Sequence, residues 1–225
     1  MRFQDAARDA RAVVYAGIQA EPLVARVAAA LEDVGYEERL LARAVMNGET
    51  TDPEAWRTMF PTIFGSGADG PAREQAEHLL SLSLEVAERG EQVRSQYRGA
   101  IVEELTARLL ERRVTAASVR RERRILFDGV RAEIHPYDVT VEVEGSAEAW
   151  DCKWGARGIG PDVLHQLDDA RTHAVEEDER LRVGLVVFDA DVSCRVRLER
   201  QTAPTADTEV IPLERLDDLA SAPSR

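Results

Sequence analysis

The sequence predicts an α/β protein: a helical N-terminal half, then a mixed β-sheet core flanked by helices. Two observations predict it. After Arg121 the apolar residues change from helical spacing to strand alternation. Around and beyond that switch the segments run helix, three strands, helix, strand, the order of an α/β layer arrangement. A length of 225 residues, 44% of them hydrophobic, suffices for one large core or two small ones.

Residues 3–47 read as helix, with Val13, Val14, Ile18, Leu23, Val24, Val27 and Leu31 near helical spacing, and Leu40, Leu41 and Val45 continuing it after Gly35. Asn47-Gly48 ends the run. Asp52-Pro53 starts a short helix carrying Trp56, Met59 and Phe60, which Pro61 stops. Residues 65–71 are a glycine-rich link; no strand precedes it and no Gly-Lys-Ser/Thr follows, so it is not read as a phosphate cradle. A second helical region runs from Ala72 to about Arg113. Residues 123–128, 137–144 and 149–154 alternate as strands, the last two joined at Gly145-Ser146 in an antiparallel hairpin. Residues 162–177 form a helix, Arg182 to Phe188 an interior strand, Val192 to Leu198 a further strand, and Val210 to Leu213 a last strand before a short helix over 214–219. The expected domains are 1–95, helical and serving partner binding or oligomerisation, and 96–220, carrying the sheet, with 221–225 a flexible tail.

Cys152 and Cys194 are too few for a disulfide framework and lack metal-ligand spacing, which points to a reducing, cytoplasmic setting. No apolar stretch reads as a signal peptide or a membrane span. The net charge of −13 is awkward for a phosphate-binding protein, but it is unevenly spread. Residues 108–124 hold seven arginines against Glu111 and Glu122. Arg112, Arg113, Arg120, Arg121, Arg123 and Arg124 are therefore candidate nucleic-acid contacts. The alternative is a solvated helix end whose arginines complement the C-terminal dipole.

Lys153 is the one lysine beside 28 arginines. A position that keeps Lys in such a chain needs a compact ammonium able to shift its pKa and handle a proton. Asp151 and Lys153 stand two apart on one strand and share a face, while Cys152, Trp150 and Trp154 point away. Asp138 opens the partner strand, so the hairpin lets the two aspartates converge. With the main-chain carbonyl of Cys152 they offer hard oxygen ligands suited to Mg²⁺, for which Mn²⁺ can substitute. Such a set suits phosphodiester hydrolysis: it activates water, relieves phosphate charge and stabilises the leaving oxygen. Lys153 would stabilise developing charge and, with a lowered pKa, orient or deprotonate water. Taken alone Asp-Xaa-Lys is weak, since charges alternating on strands usually form a solvated face or a salt bridge.

On these residues, 98–189 resemble the PD-(D/E)XK nuclease superfamily, in particular archaeal-type Holliday junction resolvases and Mrr-like restriction endonucleases. Gly99 with Glu103 four residues later matches the helix signature, Asp138 in Pro136-Tyr137-Asp138 the first acid, and Asp151-Cys152-Lys153 the acid-Xaa-Lys signature. Gln166 falls on a glutamine of the following helix. The Pro-Tyr-Asp form, the Arg-rich stretch after Glu103 and the helical half depart from the pattern.

The resemblance implies a restriction-endonuclease-like core and a Mg²⁺-dependent endonuclease in restriction, phage defence or repair, acting on DNA rather than RNA. Asp138 and Asp151 would bind metal, Glu103 would hold a second metal or place water, and Gln166 would assist near Lys153 or the substrate. A helical wheel also places Glu103 nearer the sheet-facing boundary than Glu104. Recruitment by a protein bound to the helical half would fit the acidic charge, and a homodimer would share the cutting of two strands between its copies. The rival expectation is an inactive nuclease-fold module that binds nucleic acid or protein.

Overall fold

The structure is a computed structural model, and it describes residues 1–6, 10–65, 70–128, 130–131, 135–205 and 207–221. Its elements in chain order are β1 (Arg2–Asp5), α1 (Ala10–Gln19), α2 (Pro22–Glu32), α3 (Tyr36–Asn47), α4 (Pro53–Met59), α5 (Pro61–Phe64), α6 (Gly70–Ala87), α7 (Glu91–Glu111), β2 (Val119–Phe127), β3 (Val130–Arg131), β4 (Tyr137–Val143), β5 (Ser146–Lys153), α8 (Pro161–Glu176), β6 (Leu181–Val187), α9 (Asp191–Glu199) and β7 (Glu209–Ile211). The chain is thus mixed α/β, as its periodicity predicts.

Two compact units form: Ala10–Leu105, and Met1–Asp9 with Thr106–Arg225. The division falls inside α7 rather than near residue 95, and the extreme N-terminus belongs with the sheet. The predicted tail lies, but for Ser221, outside the described residues.

In the helical unit α2 and α3 pack on α6, and Leu41, Val45, Trp56, Ile63, Phe64, Ala76 and Leu80 share one core. Sequence signals set its boundaries: Pro22, Pro53 and Pro61 each occupy a first helical turn, and the Asp52 side chain caps α4 by accepting from the Glu54 N–H at 3.0 Å.

In the other unit the strand order is β1-β2-β4-β5-β6-β7, with β3 paired to β2. Pairing is antiparallel from β1 to β5 and parallel across β5-β6-β7. The hairpin turns at Gly145, whose φ of 79° suits glycine. A parallel neighbour cannot be reached by a tight turn, and α8 supplies the crossover from β5 to β6. Ile125, Tyr137, Ala149, Val183, Leu185 and Val187 share a core with Leu164, Leu167, Ala170 and Ala174 of α8. On the opposite face of β5, Cys152 Sγ meets Thr106 Oγ1 of α7 at 3.5 Å.

Two segments depart from expectation. Residues 2–5 are a strand rather than part of a helix, because pairing with β2 satisfies their backbone and Phe3 packs on the core. Residues 192–198 lie in helix α9: Cys194 is buried and Leu198 one turn later packs on the same core, while Val192 and Val196 are exposed. Their apolar alternation is therefore not the buried pattern. The short helix expected over 214–219 is present as a 3₁₀ helix, Leu213–Ala220, that buries Leu213, Leu216 and Leu219.

Candidate active site

The β4-β5 ladder runs from Val143↔Ser146 to Val139↔Trp150. Past that point, the Cys152 N–H donates to Asp138 Oδ2 at 2.6 Å. The Asp138 carboxylate therefore lies where the two strands meet at the end of their ladder. The β2-β4 ladder also skips one step: Arg121↔Val139 and Arg123↔Tyr137 pair, while between them Glu122 takes a φ of 52°. The register is the same on both sides of the gap, so one pair is left open and no residue is inserted.

Asp151 follows on β5, only 4% exposed. Its Oδ1 is buried without a hydrogen bond and forms an ion pair with the Lys153 ammonium. Lys153 itself keeps a quarter of its side chain exposed. Burial works to lower the Lys153 pKa, but the charges of Asp151 and then Asp138 outweigh it and hold the group above its ordinary value. This direction is opposite to the expected lowering, and its cause is the pair of carboxylates beside the ammonium.

The donor set fits a Mg²⁺ ion. Among the described residues no three His, Cys, Asp or Glu side chains group as metal ligands, but one or two carboxylates with retained waters are the usual protein share of a Mg²⁺ site. Asp138 and Asp151 supply two carboxylates, and the Oδ1 of the second is the oxygen paired with the Lys153 ammonium. The N–H and C=O of a strand residue point to the same neighbouring strand, so the Cys152 carbonyl is turned toward β4, as its N–H is.

Gln166 is buried on α8 and does not act beside Lys153. Its Oε1 accepts the His135 N–H at 3.1 Å and its Nε2 donates to the His135 carbonyl at 3.0 Å. A side-chain amide thus pairs with the main chain three residues before Asp138 and fixes the approach to β4.

Glu103 belongs to the helical unit. Its carboxylate accepts from Tyr15 Oη at 2.5 Å and Gln19 Nε2 at 2.7 Å, tying α7 to α1. Gly99 takes part in the same arrangement, since a Cβ there would come within 2.9 Å of Tyr15 Oη. The Gly99-to-Glu103 spacing thus has a structural account: one residue makes room for the tyrosine hydroxyl that the other receives.

The arginine block divides. Arg113 pairs with Glu148 at 2.6 Å and donates to the Leu219 carbonyl at 2.7 Å. Arg123 is bound to Glu142 at 2.7 Å and to Asp5. Both are committed to internal partners, which corrects their assignment as nucleic-acid contacts. Arg112 and Arg120 are exposed, and Arg121 and Arg124 half-buried.

Sequence reasoning missed Asp189 and Gly158. Asp189 follows β6, and its Oδ2 accepts the Ala156 N–H at 3.0 Å while Oδ1 accepts the Ala190 N–H at 2.9 Å. Its position just past an apolar strand was the only available signal.

Searches against protein-family models, curated proteins and solved structures return no match to the chain. Among the described residues, no helix is long and apolar enough to cross a membrane.

Proposed function

We propose that the chain is a Mg²⁺-dependent nuclease with a restriction-endonuclease-like core, cutting DNA in preference to RNA. One observation carries the reading: where β4 and β5 end their ladder, the sole lysine is paired with Asp151, and Asp138 accepts the N–H of the residue between them. The order of helix α7, strands β2 to β5, helix α8 and strand β6 around them supports it. Asp138, Asp151 and the Cys152 carbonyl would hold the ion, which when bound supplies charge relief on phosphate and a more acidic water.

The chain's own residues perform the rest. Asp138 is oriented by the Cys152 N–H, so its carboxylate is placed without a search over rotamers. Lys153, paired with Asp151, would offer a compact cation to a phosphate oxygen on which charge develops. Gln166 holds the His135 backbone and thereby the start of β4. Exposed Arg120 would meet a phosphate backbone, a small basic surface on an acidic protein, which favours recruitment by a partner over tight nonspecific binding.

The test is incubation of plasmid, linear duplex, branched DNA and RNA with the protein in Mg²⁺, Mn²⁺ or EDTA, beside Lys153→Ala and Asp151→Ala. Metal-dependent cleavage that both substitutions abolish is the expected result. Binding without cleavage, equal in all three proteins, would replace the nuclease with a binding module.

A further inference from the structure

We infer that Gly158 and Asp189 are positioning residues that fix where the Lys153 ammonium stands. The inference rests on the reading of Lys153 as the working cation of the site, but concerns how this chain holds it.

The segment after β5 turns back over its own last residue. Ala156 to Gly158 form a single 3₁₀ turn, and Ala156 and Ile159 are buried anchors in the core. A glycine at 158 is not required by the backbone, because Gly145 alone among the described glycines has positive φ. It is required by space. A Cβ at 158 would stand 2.8 Å from Lys153 Cδ, 3.0 Å from Cγ and 3.1 Å from Cβ. Those distances fall below ordinary van der Waals contact, and three successive carbons meet it, so the turn lies along the length of the lysine stem. A free lysine stem samples many rotamers; one lying along the turn has far fewer and carries its ammonium to one place.

The turn is itself anchored from the neighbouring strand. Asp189 Oδ2 receives the Ala156 N–H, and the Asp189 main chain is tied on both sides, its N–H to the Val187 carbonyl at 2.7 Å and its carbonyl to the Leu213 N–H at 2.9 Å. Arg197 Nε holds the far end of the turn through the Ile159 carbonyl at 2.9 Å, and the Phe188 N–H binds the Lys153 carbonyl at 2.8 Å. Trp154 and Phe188 stack at 5.0 Å between these points. The carboxylate of Asp189 is thus spent on locating the turn, and the turn on locating Lys153.

Because the chain has one lysine, its amine can be followed without ambiguity. The experiment compares the full chain with Gly158→Ala, Asp189→Ala, Asp189→Asn and Gly160→Ala. Gly160 is the matched control, in the same loop with open space where a Cβ would go. Lysine reactivity toward an amine-directed acylating reagent is measured at one pH by peptide mass spectrometry, beside thermal midpoints and cleavage kinetics.

Gly158→Ala and Asp189→Ala are expected to change Lys153 labelling several-fold, with Gly160→Ala at the wild-type rate and Asp189→Asn, which keeps one acceptor oxygen for Ala156, restoring part of the difference. In cleavage, kcat should fall by about 100-fold for Gly158→Ala with KM held, the consequence of a cation displaced by about an ångström. Wild-type labelling in Gly158→Ala overturns the inference, as does an equal change in Gly160→Ala. A wild-type protein that cleaves nothing would defeat the nuclease reading, while the labelling still decides whether these residues place Lys153.

Discussion

Asp138 is bound to the backbone of the residue next to its partner acid: its Oδ2 accepts the Cys152 N–H at 2.6 Å. Strand pairing, carboxylate placement and the Asp-Cys-Lys tripeptide are thereby joined in one contact. Asp138→Asn retains an acceptor for that N–H and should cost no more than about 1 kcal/mol, whereas Asp138→Ala strands the donor and should cost about 1–3 kcal/mol. Both should lower cleavage by about 100-fold or more. Urea titration and plasmid nicking separate the two effects, and equal stability of the two variants would show that the bond is not made.

Lys153→Arg tests why this position departs from the chain's habit. It leaves a cation for Asp151 but replaces a compact ammonium by a planar fork, so folding should shift by about 1 kcal/mol or less while cleavage falls by about 100-fold. Lys153→Met removes the counter-charge of a carboxylate that is 4% exposed and should cost about 3 kcal/mol. Adding Asp151→Asn should return much of that loss, a coupling that a double-mutant cycle measures directly.

Gln166→Ala leaves the His135 N–H and carbonyl without their side-chain partner. The expected cost is about 1–3 kcal/mol, with faster amide exchange at His135 and lower cleavage through a loosened Asp138. Exchange at His135 equal to wild type would remove Gln166 from the account of the site.

In the helical unit, the hydrogen bonds from Arg57 hold the Glu77 carboxyl below its ordinary value, against a smaller opposing effect of burial. A folded-state pKa below the unfolded one means that the ionised form is stabilised by folding. The contribution is full above the unfolded value near 4.5 and is lost as pH falls through the folded value. Part of the pair is solvated, so the effect should be less than about 1 kcal/mol. Denaturation midpoints at pH 7 and pH 3.5 should differ less in Glu77→Gln than in wild type.

Much of the architecture was legible because burial writes itself into periodicity. Val139 and Val141 alternate with polar neighbours as a strand demands, and Val183 to Phe188 form an apolar run fit for an interior strand. Arg2 to Asp5 escaped notice because a four-residue edge strand with one apolar side chain has no period of its own; it exists through its pairing with β2. Residues 192–198 misled for the converse reason, as their alternating valines face solvent and a single turn of α9 buries only Cys194 and part of Leu198. The arginine block read as one basic surface, yet Arg113 and Arg123 are held by carboxylates 35 and 19 residues away. Net charge along a sequence cannot distinguish a solvated guanidinium from one already neutralised.

The sequence by itself determined the class of fold, the hairpin that carries Asp138 and Asp151, and the singular status of Lys153, since these follow from local pattern and residue type. Only the tertiary structure decided what those side chains touch. That Lys153 is a raised-pKa cation paired with Asp151, that Gln166 binds His135, that Glu103 answers to Tyr15 and Gln19, and that Asp189 and Gly158 bracket the lysine all depend on contacts between segments far apart in the chain. Such contacts are set by the packing of whole elements, and the environment of an ionisable group exists only once that packing is complete.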